Sequence, residues 1–410
     1  MYGILRNLAL RGTQQIAVTL TVQKIRQQEV NFINIYSRYK FMAINVTFLK
    51  DGANGQAESV AKELAEFISA AKHNLHIAIY DFRLKQEALS TPIIEAIKDR
   101  ANSGVQVRIA FYAGKPTKTK GETTKDMELF FATGGDPAPK GTEEFLDETL
   151  KDSNVQIQRI TGSKLMHNKY IVRDVHTTHA SVWTGSTNFT DDAWTYQENN
   201  ILRIDSAELA SYYETDFGEL WVNGDIKSTG INDIGTVNVG STEVEVAFSP
   251  GEGKTIDHII SQQIGIAKHR IKVASMMLTS HTILAALDEA LQHDQVSEFG
   301  GIYDQTQMAH VVKQWEKSSK SAAVAQTFQQ VATHLVGKHS QPYKAEGKHD
   351  FMHNKIVVCD DTVITGSFNF SLSATQNAEN ILILQSKKLA DQYSTYIDEI
   401  TKHYAGSARH

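Results

Sequence analysis

The 410-residue chain has almost no cysteine and no long apolar run. Its single cysteine, Cys359, excludes an internal disulfide, so the fold does not depend on an oxidising compartment. No stretch approaches the roughly 20 apolar residues of a membrane-spanning helix, and no short apolar core with a cleavage site marks a secretory signal. From the sequence we therefore expect a cytoplasmic protein.

The chain also lacks an overall positive charge, because its formal net charge is −6 and its pI is about 6.2. This balance argues against a generally cationic nucleic-acid binder but leaves room for a local basic groove. The first 41 residues differ, with six Lys and Arg residues against the single acidic residue Glu29. We interpret residues 1–41 as a basic extension before the folded domain. A transit peptide or a membrane-surface arm would carry the same charge.

Two similar halves follow this extension. Each starts with an apolar strand, at residues 46–49 or 244–248, and continues into a helix whose apolar residues recur at helical spacing. The alternation of strands and helices that follows is typical of an α/β layer fold. We therefore predict two lobes, at residues 42–221 and 244–405, joined by a linker at residues 222–243 that is rich in Gly, Ser, Thr and Asn.

A pattern of polar residues occurs once in each half. A lone H-x-K-x-x-x-x-D pattern would prove little, because such patterns arise by chance. Here both copies share the sequence Met-His-Asn-Lys and continue into a Gly-Ser-x-Asn-Phe turn and a glutamate, which chance does not explain. The repeated residues are His167, Lys169, Asp174, Ser186, Asn188 and Glu198 in the first copy and His353, Lys355, Asp360, Ser367, Asn369 and Glu379 in the second.

The first copy has a longer loop between its aspartate and its glycine, which contains His176 and His179. An H-x-x-H pair could suggest zinc, but no further ligands occur at metal spacing. We interpret the segment as a solvated hairpin loop and predict no metal site.

Both complete motifs resemble those of the phospholipase D superfamily, and the resemblance extends from about residue 44 to residue 405. It implies two α/β/α sandwich lobes with mixed, largely parallel sheets, related by a pseudo-twofold axis, with one active site at their interface. It also implies a phosphodiesterase that acts through a covalent phosphohistidine without a metal or other cofactor. No obligate protein partner is inferred.

The residue types suit this chemistry. A neutral imidazole can attack phosphorus, and a second, protonated imidazole can protonate the leaving oxygen. Following the family's common arrangement, we expect His167 to be the nucleophile and His353 the acid. Ammonium and amide groups can hold the phosphoryl oxygens, and the expected groups are Lys169, Lys355, Asn188 and Asn369.

The remaining motif residues have supporting roles by the same resemblance. Glu198 and Glu379 are expected to hydrogen-bond the far nitrogen of each histidine and fix its tautomer. We expect Asp174 and Asp360 to brace the site rather than touch substrate. Ser186 and Ser367 are placed with the substrate-binding residues.

The sequence leaves the substrate open. A phospholipid, with peripheral membrane contact, is narrowly favoured by the acidic overall charge and the basic, apolar-containing first 41 residues. Met276, Met277 and Leu278 end a strand that should point at the site, where they would suit acyl chains, but core packing explains them equally well. Hydrolysis and transfer to an alcohol are both open. An intracellular nuclease acting on single-stranded DNA or RNA is the alternative. Lysines that follow the strand at residues 105–112 would attract a phosphate backbone, namely Lys115, Lys118, Lys120 and Lys125, with a weaker group at Lys313, Lys317 and Lys320. A solvated loop explains the first group at least as well. A non-catalytic anion-binding scaffold is the third hypothesis.

The motif composition predicts activity without a divalent ion. Phosphodiester cleavage should keep its rate in excess EDTA, because histidine, lysine and asparagine supply the nucleophile, the acid and the anion clamp. The measurement is the rate of release of p-nitrophenol from bis-p-nitrophenyl phosphate with and without EDTA. Activity that disappears in EDTA and returns with a divalent ion would contradict this mechanism.

Overall fold

The computed structural model describes residues 43–114, 139, 141–231, 233–317, 321–343 and 347–407. The predicted basic extension, residues 1–41, lies outside this part. From Ile44 onward the chain forms one compact unit. That unit contains two mixed sheets, one for each half of the sequence.

The first lobe is an α/β layer structure that starts at Ile44. Its strands are β1 (Ile44–Leu49), β2 (Asn74–Ile79), β3 (Phe82–Arg83), β4 (Gln106–Tyr112), β5 (Gln156–Ile160), β6 (Lys169–Arg173), β7 (Ser181–Gly185), β8 (Phe189–Thr190) and β9 (Asn199–Asp205). Its helices are α1 (Gln56–Ser69), α2 (Glu87–Asn102), α3 (Thr142–Leu150), α4 (Asp191–Thr195) and α5 (Ala207–Asn223).

The second lobe repeats this plan. Its strands are β10 (Gly235–Val239), β11 (Thr242–Ser249), β12 (Arg270–Ser275), β13 (Glu298–Asp304), β14 (Val336–Lys338), β15 (Lys355–Cys359), β16 (Thr362–Gly366) and β17 (Glu379–Gln385). Its helices are α6 (Gly253–Ile266), α7 (His281–Gln292), α8 (Gln305–Trp315), α9 (Ala322–Ala332) and α10 (Lys387–Ser407), and a 3-10 turn spans Ala374–Gln376.

Strand order is the same in both sheets where the motifs lie. The first sheet runs β1-β9-β7-β6-β2-β4-β5, and the second runs β10-β11-β17-β16-β15-β12-β13-β14. Within these two sheets, the parallel pairs of the described residues are β2-β4-β5 and β12-β13-β14, where helical segments separate the strands. Strands β3 and β8 form a separate parallel pair. The motif strands β6 and β15 lead into β7 and β16 through short turns and pair with them antiparallel, as hairpins must. The predicted α/β class with mixed sheets is thus confirmed.

Apolar residues at helical spacing place each core. In α1, Val60, Leu64 and Phe67 are buried against the first sheet, and in α6, Ile256, Ile260 and Ile264 are buried against the second. Each such side chain contributes roughly 1.5–3 kcal/mol through burial. The two apolar cores are separate, so each lobe carries its own.

The segment predicted as a linker, residues 222–243, is more structured than expected. Residues Gly235–Val239 form β10, which pairs antiparallel with β11 at the edge of the second sheet. Alternation is visible here, since Val237 and Val239 are buried while Thr236 and Asn238 are exposed. The Gly and Asn content of the segment concealed this short hairpin.

Asp174 and Asp360 do not brace the catalytic site, because each lies at the far end of a motif strand. Asp174 Oδ1 accepts hydrogen bonds from the backbone N–H groups of Lys72 and His73, at 2.7 and 2.8 Å. In the second lobe, Asp360 Oδ1 accepts from His269 N and Arg270 N, at 2.7 and 3.0 Å. Each carboxylate therefore fixes the loop that leads from the first helix of its lobe into the central strand.

This position predicts a loss of stability without a loss of catalysis. The variant Asp360→Asn should lower the free energy of unfolding by about 1–2 kcal/mol, because its amide cannot accept from all three N–H groups that surround the carboxylate. Asparagine tolerates the positive φ of 52° at this residue, so backbone strain does not contribute. Denaturant unfolding measures the change.

Turnover per folded molecule should stay unchanged, since β15 separates Asp360 from His353 by about 17 Å. The neighbouring Asp361→Asn is the matched control, because that side chain is half exposed and its contact with Arg270 is 3.7 Å long. A lost turnover in Asp360→Asn at full folding would place this carboxylate in the site after all.

Candidate active site

Backbone hydrogen bonds across the lobe interface place the two histidines. His167 N donates to Ala378 O at 2.8 Å, and Ala378 N donates to Leu165 O at 2.7 Å. The pseudo-symmetric pair joins His353 N to Glu198 O at 3.0 Å. Each histidine thus lies at the start of a buried motif strand and is held by the other lobe, as an interface site requires.

Asparagines of the motifs reinforce this interface. Asn380 Nδ2 donates to Asn168 Oδ1 at 2.9 Å, and Asn200 Nδ2 donates to Asn354 Oδ1 at 3.0 Å. All four side chains are 0% exposed. Their role was not predicted from the sequence, although both copies contain the signal, which is Met-His-Asn-Lys and the Asn-Ile that follows each glutamate segment.

His167 pairs with a glutamate of the second lobe. Its Nδ1 lies 2.7 Å from Glu379 Oε2, and Asn377 Nδ2 donates to the other carboxylate oxygen at 3.1 Å. Both His167 and Glu379 are buried. This contact holds the imidazole with its Nε2 directed away from the carboxylate.

His353 pairs with an asparagine instead. Its Nδ1 lies 3.0 Å from Asn199 Oδ1. Glu198, which we expected to make this contact, turns away and lies 2.6 Å from Lys338 Nζ, and it also accepts from Tyr404 Oη. The expectation for Glu198 is therefore corrected, and the two histidines have chemically different partners.

A difference of one residue in loop length explains the correction. Gly185 pairs with Ile201 in the first sheet, whereas Gly366 pairs with Ile381 in the second. The intervening segment of the first lobe forms helix α4 and is one residue longer than its counterpart. The structural equivalent of Glu379 is consequently Asn199, although counting from the glycines selects Glu198.

Ser186 and Ser367 support these partners rather than facing substrate. Both side chains are 0% exposed. Ser186 Oγ donates to Asn199 Oδ1 at 2.7 Å and accepts from Asn200 N at 3.0 Å. Ser367 Oγ accepts from Asn380 N and hydrogen-bonds Glu379. The prediction of substrate-binding serines is corrected, because their hydroxyls are already engaged.

Two buried lysines lie beside the histidines. Lys169 Nζ donates to His167 O and Lys355 Nζ donates to His353 O, each at 2.5 Å. The ring of Tyr80 lies 5.2 Å from Lys169 Nζ and also packs edge-on against His167. Each ammonium keeps two further N–H donors, which an anion in the cleft could accept.

Asn188 and Asn369 contribute unpaired amides. Within the described part of the chain, the Oδ1 atoms of both side chains are buried without a hydrogen-bond partner. Because the oxygen and nitrogen of an amide are assigned from their partners, each group can equally present its NH₂. The two lobes therefore share the same buried amide group with an unsatisfied oxygen.

Burial and the neighbouring basic groups lower the pKa values of the histidines and lysines in the site. Burial, followed by Lys169 and Lys355, lowers the pKa of His167 well below its usual value. Burial, Lys355, Lys169 and His167 do the same to the pKa of His353. Burial also lowers the pKa of Lys169 to about 7. Because each histidine responds to both lysines, the four side chains form one electrostatic unit that favours a bound anion.

Burial acts in the opposite direction on Glu379 and raises its pKa to about 8. The cations Lys169 and Lys355 favour its charged form but do not fully offset the loss of water. The carboxyl group therefore becomes more anionic when positive charge develops on His167.

The lysines assigned to substrate binding from the sequence, Lys115, Lys118 and Lys120, lie outside the described residues. The same applies to Lys125 and Lys320.

Comparison with known proteins gives local sequence matches to phospholipases D. The chain is 51% identical over 43 residues to a phospholipase D of Rickettsia prowazekii (strain Madrid E), covering 10% of this chain and 21% of that protein. A phospholipase D of Rickettsia felis (strain ATCC VR-1525 / URRWXCal2) is 49% identical over 43 residues, with 10% and 22% covered. The chain thus spans about a fifth of the length of these curated relatives.

Solved structures match over both lobes. Phosphatidylserine synthase of Haemophilus influenzae Rd KW20 superposes with a TM-score of 0.58 at 14% identity, covering 87% of this chain and 85% of that chain. Polyphosphate kinase of Porphyromonas gingivalis gives a TM-score of 0.51 at 13% identity, covering 87% and 50%. At such identities these likenesses establish the fold alone.

The family model described as "Cardiolipin synthase, PLD-like domain" matches residues 64–221 and 260–401, one segment in each lobe. These segments include both histidine motifs and cover well over half of the chain. The resemblance found in the sequence is confirmed, and the chain belongs to this PLD-like domain family within the phospholipase D superfamily.

Proposed function

We propose that this protein is a phosphodiesterase that works through a phosphohistidine on His167, with His353 as the general acid. Superfamily membership supports a phosphodiesterase in general. The observation that carries the specific proposal is the difference between the partners of the two histidines, glutamate for His167 and asparagine for His353.

The partner of His167 suits a nucleophile. With Nδ1–H donating to Glu379, the lone pair on Nε2 is free to attack phosphorus. The imidazole becomes positively charged as the P–N bond forms, and the adjacent carboxylate stabilises that charge. Burial keeps the pKa of His167 low, so the ring is neutral before attack.

The partner of His353 suits an acid. Asn199 fixes the ring through a neutral amide oxygen and adds no negative charge, so the imidazolium gives up its proton readily. In the first step the bond between phosphorus and the leaving oxygen breaks, and His353 transfers its proton to that oxygen. In the second step His353 takes a proton from water or an alcohol, whose oxygen attacks phosphorus and releases His167.

The remaining groups hold the phosphoryl oxygens. Burial lowers the pKa of Lys169 and Lys355 in the free site, and a bound anion restores their positive charge. The amides of Asn188 and Asn369, whose Oδ1 atoms have no hydrogen-bond partner among the described residues, can turn to present their NH₂ groups as donors. An anionic substrate also offsets the repulsion among these cations. Its binding therefore raises the pKa of His353 towards protonation, and the acid is charged when the leaving group departs.

The structure removes one argument for a phospholipid substrate. Met276, Met277 and Leu278, which the sequence placed at the site, are at most 4% exposed and belong to the apolar core of the second lobe. They offer no surface for acyl chains. No helix in the described part of the chain is long and apolar enough to cross a membrane.

The pKa of Lys169 predicts how inhibition by a dialkyl phosphate depends on pH. Above about pH 7 the free site loses the Lys169 proton, whereas the bound anion favours the charged ammonium, so binding must take up a proton. The inhibition constant of diethyl phosphate should rise above about pH 7, by up to about tenfold per pH unit. An inhibition constant that is equal at about pH 6 and about pH 9 would contradict the clamp role of Lys169.

The roles of the histidines are tested with an activated ester whose leaving group needs no proton. With bis-p-nitrophenyl phosphate, His353→Ala should accumulate a phosphohistidine on residue 167, whereas His167→Ala should form none. With an unactivated diester, each variant should lose about 10²–10⁴ in turnover. Mass spectrometry at alkaline pH, where phosphohistidine survives, locates the label.

The exposed histidine His293, at the end of α7, provides the control, and His293→Ala should behave as the unchanged protein. A label on His353 would reverse the two roles. Half of the activity surviving in each single variant would rule out one shared site. If the unchanged protein cleaves no diester, the non-catalytic scaffold is correct.

A further inference from the structure

The pseudo-twofold relation between the lobes makes the two ends of the lobe interface equivalent. At one end, which we call the filled end, four side chains occupy the space between the lobes. Lys338 is 2% exposed there and lies 2.6 Å from Glu198 and 3.4 Å from Asp51. The ring of Tyr404 lies 5.0 Å from the same ammonium, and its hydroxyl donates to Glu198. These four side chains close this end of the interface.

The other end lacks all four side chains. Strand registers make Ile160 the equivalent of Lys338 and Ala378 the equivalent of Glu198. Asp51 lies two residues after the end of β1, and the equivalent residue, two after the end of β11, is Gly251. Helix α5 ends at Asn223, so Gly224 takes the place that Tyr404 has in the longer helix α10.

An open groove of about 870 Å³ lies at this second end, lined by both lobes and by the segment that connects them. Its basic residues are Lys164, Lys227, Lys254 and His258. None of the three lysines has an ion-pair partner within the described residues. The acidic residue in the lining, Asp257, already accepts a hydrogen bond from Ser280 Oγ at 2.6 Å. The groove is therefore positive in a chain that is negative overall.

The groove lies next to the catalytic histidine that we assign as the nucleophile. Lys164 precedes His167 by three residues, so their Cα atoms are within about 11 Å of each other. On the opposite wall, Gln376 is followed by Asn377, which accepts from Leu165 N at 3.1 Å and donates to Glu379 at 3.1 Å. The groove wall and the histidine partner thus form one hydrogen-bonded unit.

We propose that this groove binds the phosphates that flank the scissile bond of a single-stranded nucleic acid. The inference rests on the phosphodiesterase function proposed above and names its substrate class. Three unpaired lysines beside a single active site match a ligand that carries several phosphates in a row. A neutral or single-phosphate ligand would leave most of this charge unused.

The lining favours a nucleic acid over a lipid. The large apolar side chains that the described residues expose are Val222, Ile231, Ile266 and Leu372, and of these only Leu372 lines the groove. One leucine cannot cover two acyl chains. At the filled end, Lys348 lies 4.1 Å above the ring of Tyr196, so that end is aromatic and charged rather than aliphatic.

The test measures the cleavage of three substrates by the unchanged full chain and by the double variant Lys227→Gln/Lys254→Gln. Both lysines are exposed and neither belongs to the catalytic machinery. For a single-stranded oligonucleotide of about 12 nucleotides, kcat/KM should fall about tenfold near 0.1 M salt. The plot of log kcat/KM against log salt should become less steep by about 1.4, as expected when two phosphate contacts are lost. For bis-p-nitrophenyl phosphate, kcat/KM should not change.

A matched control removes two exposed lysines elsewhere, one in each lobe, through Lys151→Gln/Lys388→Gln. It should leave oligonucleotide cleavage unchanged. The proposal that the groove binds nucleic acid would be wrong if both double variants lost the same kcat/KM for the oligonucleotide. It would also be wrong if the salt dependence of kcat/KM did not change in Lys227→Gln/Lys254→Gln.

The third substrate, phosphatidylglycerol vesicles, separates the substrate classes. Vesicle cleavage that depends on Lys227 and Lys254 while oligonucleotide cleavage does not would assign the groove to lipid and overturn our inference. Cleavage of the small diester without any cleavage of oligonucleotides would also overturn it but would leave the phosphodiesterase function standing.

Discussion

The hydrogen bonds that cross the lobe interface at the motif strands are the constraint on which the site depends. Each histidine donates its backbone N–H to a carbonyl of the other lobe, and the asparagine that follows each histidine, Asn168 or Asn354, pairs with an asparagine across the same boundary. These groups are buried, so breaking the interface would leave several of them unsatisfied, at about 1–3 kcal/mol each. The interface therefore fixes the distance between His167 and His353 as firmly as a single core would.

This rigidity makes the electrostatics of the site possible. Two lysines and two histidines stay close together without water only because the scaffold cannot relax apart. Burial lowers the pKa of all four groups, so their charged forms are disfavoured while the site is empty. A bound anion favours those charged forms, so anion binding and proton uptake are linked.

Much of this molecule could be predicted from the sequence, because duplication supplies an internal comparison. The repeat gave the two lobes, the α/β class and the motif residues His167, Lys169, His353 and Lys355 that the structure brings together. The partner of His353 could not be found, since one extra residue in a loop exchanges Glu198 for Asn199 without changing either motif. Counting residues from the repeated Gly-Ser turn selects the wrong partner when the segment after the turn differs in length between the lobes. Strand pairing reveals which residues are equivalent.

Sequence alone also could not locate residues whose side chains suit more than one environment in the fold. Met276 to Leu278 read equally well as core or as a lipid-facing wall, and packing decided for the core. Asp174 and Asp360 belong to the motif by spacing, yet their strands carry them to the opposite end from the histidines. A carboxylate in a motif can thus serve the fold while its neighbours in sequence serve the chemistry.

The extra residue before Asn199 also bears on how two duplicated halves come to have histidines with different roles. In a symmetric pair of identical half-chains, both histidines would have the same partner, and the direction in which substrate entered would decide which one attacked. Joining the halves in one polypeptide allows a single insertion to act on one copy alone. With the proposed roles of His167 and His353, the direction of attack across the interface is then set by the chain itself rather than by the way each substrate enters.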